Sequence, residues 1–223
     1  MSDDYGFSVY MVRHGPVEKT SGHLPAYDAP LASDQPALTA LAPYLPNEAD
    51  YFISPLRRTK QSFEILTSGQ PHPSPLCDAR LEEQNFGNWH GADVAAVWQE
   101  ITHLTDERHP TSFVTPNLTP PNGTSFDHVF AQCGSFLSDL TKKKPKRPQI
   151  IVAHAGTIKA LLGQMMGMTA SQALMLTIDH GSVSLADYIY PAKNTTETVN
   201  SEKVIPETII PWQIQTINHS YLR

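Results

Sequence analysis

Two apolar runs, FSVYMV at 7–12 and QIIVA at 149–153, each run into a histidine with a glycine close behind, as Arg13-His14-Gly15 and His154-Ala155-Gly156. A continuous apolar run suits a strand buried on both faces, and such strands belong to parallel sheets covered by helices. Both histidines are then delivered to the carboxyl end of one sheet, where open α/β sheets collect ligands. The rest of the chain alternates accordingly. DYFI at 50–53 predicts a short strand, and helices are expected over 35–45, 56–68, 92–103, 125–140 and 157–167. Strand-like segments at 182–190 and 207–217 are expected to pair as a hairpin at the sheet's edge, a place that tolerates Pro211. The predicted fold class is α/β, a three-layer α/β/α sandwich with a mostly parallel central sheet. The 223 residues suit one domain over 1–223, with a helical and loop insertion at about 70–125 covering part of the site.

Composition narrows the partners. The formal charge is −6 at pH 7, which argues against a nucleic-acid partner, and no apolar run reaches membrane-spanning length. An anion-binding pocket in such a chain needs a few placed cations working against the overall field. Cys77 and Cys133 show neither metal spacing nor a disulfide framework, as for thiols in a reducing compartment. The start, MSDDYGFSVY, lacks the basic and apolar regions of a signal peptide, so a cytoplasmic setting is expected. Nothing in the sequence fixes an oligomeric state.

The residues at the strand ends suit a phosphate ester. Arg13 stands beside His14, and Arg57 and Arg58 open a helix, where free backbone N–H groups also favour an anion. A neutral imidazole can act as a nucleophile if its other nitrogen is oriented by a hydrogen bond, for which a backbone carbonyl near Gly15 would serve. Glu82 and Glu83 are both candidates for the acid that protonates the leaving oxygen. Arginines and histidines can hold the developing charge, so no metal is required.

Four motifs in order resemble the histidine phosphatase superfamily, also called phosphoglycerate mutase-like. They are Arg13-His14-Gly15; Ser54-Pro55-Leu56-Arg57-Arg58-Thr59; Leu81-x-Glu83-x-x-Phe86-Gly87-x-Trp89-x-Gly91; and Val152-Ala153-His154-Ala155-Gly156. The resemblance implies that His14 is the phosphorylated histidine, Arg13 and Arg58 bind phosphate, His154 is the second histidine of the pocket and Glu83 is the proton donor. It implies no cofactor and no metal, and a small phosphorylated substrate. Glu83-Gln84-Asn85-Phe86-Gly87 lacks the Tyr-Gly pair of the mutases and looks like the phosphatase branch that includes α-ribazole phosphatase and broad phosphomonoesterases. Pro120-Pro121-Asn122-Gly123-Thr124-Ser125 resembles that branch's P-P-G-G-E-S, with Thr124 in place of the usual Glu. Thr20 falls where many members carry an Asn that touches phosphate, and it is carried as a phosphate contact.

The expected activity is therefore a phosphomonoesterase with a phosphohistidine intermediate. One alternative is a mutase or bisphosphatase on the same fold, which would need further cations for a second phosphate. Another is a phospho-ligand binding module without turnover, for which the loss of nucleophile or acid would be expected. The loop at 104–123 is read as a substrate lid, Trp89 and Trp98 as core or lid packing, His180 as a polar loop histidine, KKKPKR at 142–147 as a solvated helix end, and 191–203 as a mobile hairpin loop.

Overall fold

The structure, a computed structural model, describes residues 6–69, 71–105, 107–190 and 211–222. Its centre is a six-stranded sheet. Strands β1 (Gly6–Arg13), β2 (Asp50–Ile53), β3 (Leu76–Cys77), β4 (Gln149–Ala153), β5 (Val183–Ile189) and β6 (Trp212–His219) lie in the order β3-β2-β4-β1-β5-β6. The first four in that order run parallel, and β5 and β6 are antiparallel. The mostly parallel sheet and the edge hairpin are thus as expected. The loop expected at 191–203 lies outside the described residues.

Side-chain alternation on the central strands creates the layers. On β4, Ile151 and Ala153 face a core shared with α4 (Phe126–Lys143), α5 (Ala155–Met166) and α6 (Ala170–Leu174). Ile150 and Val152 face the opposite core, with α1 (Pro36–Leu41) and α2 (Arg57–Leu66). Strand β1 divides in the same way, with Val9 and Met11 on the first face and Val12 on the second. A strand buried on both faces has no polar side to show, which is why these runs read as unbroken apolar stretches.

Local sequence sets the helix ends. Ser125 caps α4 by accepting the His128 amide, and the helix runs three residues past the expected end, to Lys143. Lys142 and Lys143 sit in its last turn, and Lys144 turns the chain with φ of 49°, so the basic run is a helix end. Pro43 falls in a single 3₁₀ turn, Ala42–Tyr44, that follows α1. Strand β3 was not foreseen: two exposed residues at an edge carry no alternation to read.

The segment from β3 to α4 holds α3 (Val94–Leu104) and a small core of its own, formed by Trp89, Val97, Ile101 and Val114. It supplies one wall of a cleft whose other walls come from the carboxyl ends of β1 and β4. Among the described residues no helix is long and apolar enough to cross a membrane.

The layered core makes a direct prediction. Ile151 is fully buried on the central strand, so Ile151→Ala is expected to lower unfolding free energy by about 2–5 kcal/mol in chemical denaturation. A loss well below that range would mean that β4 is not packed on both faces.

Candidate active site

Strand β1 pairs with β4 up to Arg13↔Ala153, and the ladder runs on as the His14 amide donates to the Ala153 carbonyl at 3.0 Å. This register sets the His14 and His154 rings 5.1 Å apart, edge to face. His14 Nδ1 lies 2.7 Å from the carbonyl oxygen of Gly15. A carbonyl only accepts, so Nδ1 carries the proton and Nε2 keeps the lone pair. Burial, with the positive charge of Arg58 next in weight, holds the His14 pKa well below 6.5, so the ring is neutral. The Gly15 amide in turn donates to Ser62 Oγ at 3.2 Å, tying the turn to α2.

Two guanidinium groups flank this ring. Arg13 donates from Nη1 to the Ile178 carbonyl (2.5 Å) and from Nη2 to His180 Nε2 (2.8 Å). Its Nε is buried and meets no partner among the described residues. Arg58, 8% exposed, donates from Nε to His154 Nδ1 (3.1 Å) and from Nη1 to the Tyr27 carbonyl (2.7 Å). Burial lowers the pKa of both. Among the described residues neither forms an ion pair with a carboxylate. The adjacent Arg57 instead turns outward, and its amide donates to Asp28 Oδ1 at 2.6 Å. The helix start therefore separates the two candidate arginines, one into the cleft and one to the surface.

The acidic pair separates as well. Glu83 lines the cleft and accepts the Gln84 amide on Oε1 (3.0 Å) and the Gly156 amide on Oε2 (3.1 Å). Gly156 lets the carboxylate come this close: a Cβ there would stand 2.2 Å from Glu83 Oε1, and the side chain would have to shift. Glu82 accepts the Tyr27 hydroxyl at 2.7 Å. Burial, then that bond, pushes the Tyr27 pKa up to about 12. Glu82 thus holds the residue whose carbonyl holds Arg58.

Three residues sit differently from the sequence reading. His154 is fully enclosed and does not line the cleft. Its Nδ1 accepts from Arg58, so its Nε2 carries the proton and donates to Ser54 Oγ at 2.8 Å. Both ring nitrogens are thus engaged, one by Arg58 and the other by Ser54. Thr20 is exposed and is not among the cleft-lining residues; Lys19 is. His180, taken for a loop histidine, lines the cleft with its ring 5.3 Å from that of His14. Burial, then Arg13, lowers its pKa to about 4. No pattern around IDHGSVS could have shown this, because its partners lie more than a hundred residues away in sequence.

The loop at 104–123 contributes Phe113 to the cleft, against Phe86. Thr124 accepts the Asn85 amide on its hydroxyl (3.1 Å) and the Gln84 side-chain amide on its carbonyl (2.9 Å). It is a structural clip under the Glu83 segment. Among the described residues no group of three or more His, Cys, Asp or Glu side chains is placed to hold a metal ion.

The sequence profile of the histidine phosphatase superfamily (branch 1) matches residues 9–201, and the chain belongs to that superfamily. Its fold is shared with solved phosphatases. The α-ribazole phosphatase of Shigella flexneri superposes with a TM-score of 0.69 at 19% identity, over 96% of both chains. The mycobacterial glucosyl-3-phosphoglycerate phosphatase gives 0.70 at 18%, over 96% of this chain and 99% of that one. Among curated proteins, the phosphomutase-like protein 3 of Candida albicans is 28% identical over 127 residues, 54% of this chain and 39% of that protein. A bifunctional protein of Mycobacterium tuberculosis is 26% identical over 125 residues, 56% of this chain and 33% of that protein. The match thus spans only about a third to two-fifths of these relatives' length.

Three neutral histidines in the site make stability depend on pH. His14, His154 and His180 have folded pKa values below the ordinary 6.5. The unfolded chain therefore takes up their protons first as pH falls. Their contribution is intact above 6.5 and is lost as pH drops toward the folded values, to about 4 for His180. The urea midpoint is expected to start falling just below pH 6.5, before carboxylates titrate. A midpoint flat between 6.5 and 5.5 would show that these rings are not held neutral.

Proposed function

We propose that this protein hydrolyses phosphate monoesters of small metabolites through a phosphohistidine on His14 Nε2. The observation that carries the reading is the pair of guanidiniums of Arg13 and Arg58, largely withdrawn from solvent and without a carboxylate in ion-pair contact among the described residues, beside a neutral histidine with a defined tautomer. Buried charge without a counter-ion is costly, and a phosphate dianion supplies the missing partner with oxygens that fit guanidinium forks.

In this reading the phosphoryl group sits between Arg13 and Arg58, and Nε2 attacks phosphorus as the bond to the leaving oxygen breaks. Glu83, in its acid form, gives its proton to that oxygen, and the alcohol departs. The Gly15 carbonyl stays bonded to Nδ1–H and supports the positive charge that develops on the ring. Glu83, now a carboxylate, takes a proton from water as the water attacks the phosphohistidine. Inorganic phosphate and neutral His14 result. His154 and His180 hold Arg58 and Arg13 in place, and no step is routed through a metal.

Two tests follow. His14→Ala is expected to abolish turnover of every phosphate ester and to trap no acid-labile label from a phosphate-labelled substrate, whereas wild type quenched during turnover carries it. Retained activity in that variant would end the proposal. Glu83→Gln is expected to slow alkyl phosphates by about 10²–10⁴-fold while sparing activated aryl phosphates, which leave without a proton. Gly156→Ala, which displaces the Glu83 carboxylate, should show the same split in weaker form. Equal losses on both ester types would remove Glu83 from the acid role.

A further inference from the structure

Beyond the phosphate cradle the cleft, about 380 Å³ in volume, changes character. Its remaining wall is formed by Pro16, Val17, Pro25, Ala26, Phe86 and Phe113. The two phenyl rings lie 5.4 Å apart, tilted by 36°. Trp98 packs edge-on against Phe113, with 6.1 Å between ring centroids. Both phenylalanines pack on the small core around Trp89 and Val114, so the wall is backed rather than loose.

Most polar groups of the cleft are already committed. Arg13, His14, Arg58, Glu83 and His180 form the phosphate and proton machinery. His90 accepts the Phe86 amide on Nε2 at 2.9 Å and faces the Pro25 carbonyl with Nδ1 at 3.4 Å. Lys19 also lines the cleft and is exposed to solvent. Among the described lining residues, the wall opposite offers no free side-chain hydrogen-bonding group.

The geometry points to a leaving group that is apolar and aromatic: the substrates are phosphate monoesters of alcohols carrying an aryl or hydrocarbon body, not polyhydroxylated sugar phosphates. This inference rests on the phosphatase reading above. A sugar lying on this wall would give up water at several hydroxyls with no side-chain partner there to replace it. An aromatic body would displace the same water and pack against the Phe86 and Phe113 rings in the offset or edge-on arrangements that rings prefer.

Leaving-group acidity must be held constant in the test, so all esters are those of primary alcohols. The kcat/KM of the wild type is compared on phenethyl phosphate, glycerol 1-phosphate and glucose 6-phosphate. Phenethyl phosphate is expected to exceed both others by about tenfold or more, and Phe113→Ala to shrink that ratio by about tenfold. Glucose 6-phosphate equal to or better than phenethyl phosphate would overturn the inference while leaving the phosphatase reading intact. A wild-type preference that Phe113→Ala and Phe86→Ala both leave untouched would overturn it too, since the wall would not be its source. Folded wild type that turns over none of the three, nor an activated aryl phosphate, would remove the phosphatase reading itself, and with it this one.

Discussion

The arrangement depends on the parallel pairing of β1 with β4. Its register brings Arg13 opposite Ala153, and one further hydrogen bond carries the ladder into His14. Both strands are buried on both faces, so a slip of one residue would turn their side chains toward the opposite core. The same slip would move His14 away from His154 and, with it, from Arg58. Packing energy in the sheet thus fixes the placement of groups that could not hold themselves there. Cations and imidazoles at a buried sheet end have no cohesion of their own.

Burial also decides the electrical state of the site. The chain is negative overall, yet Arg13 and Arg58 face each other across His14 without a carboxylate in ion-pair contact. Desolvation works against every charge here, which is why both arginines and three histidines shift toward their neutral forms. The arginines remain charged because their intrinsic basicity is far above neutrality. The histidines lose the competition and serve as neutral acceptors, His154 for Arg58 and His180 for Arg13. Carbonyls of Tyr27 and Ile178 complete the anchoring. The guanidiniums are therefore held by uncharged partners, which fix geometry without neutralising the charge. In the proposed reaction this arrangement is set up before the phosphate ester arrives, and preorganisation of this kind is where electrostatic stabilisation of a transition state comes from.

Much of this was legible in the sequence, for definite reasons. Doubly buried strands leave unbroken apolar runs, and their ends mark the site, so β1, β4, His14 and the small residues after them could be read directly. The separation of Arg57 from Arg58, and of Glu82 from Glu83, could not be read from residue type alone. It depends on helix phase and on contacts with Asp28 and Tyr27, and the resemblance to a known family selected the same members that the structure turns inward. His180 escaped because its meaning comes from Arg13, which reaches it only when β5 folds against β1. The exposed placement of Thr20 could not be read, since the path of an irregular loop follows no period. His154 was placed in the pocket, but its fully buried ring faces Arg58 and Ser54, and no sequence signal distinguishes a ring that touches ligand from one that touches the ligand's holder.

The cover segment shows how one short stretch can serve both halves of the site. Glu82 points toward Tyr27, and through it sets Arg58, while Glu83 points toward the start of α5. Adjacent residues in extended backbone face opposite ways, so a pair of carboxylates can act on two sides of a cleft. Holding that stretch in register requires ties on both flanks. Thr157 donates to the Glu82 carbonyl at 2.9 Å from one side. From the other, the Thr124 and Asn85 backbones meet at 2.8 Å, and Gly87 and Gly123 lie so close that a Cβ on either would strike the opposing backbone. Thr124 spends its hydroxyl on the Asn85 amide inside this clip and does not line the cleft. Thr124 therefore bears on the cleft through the Glu83 segment that it fastens, and not through a charge of its own.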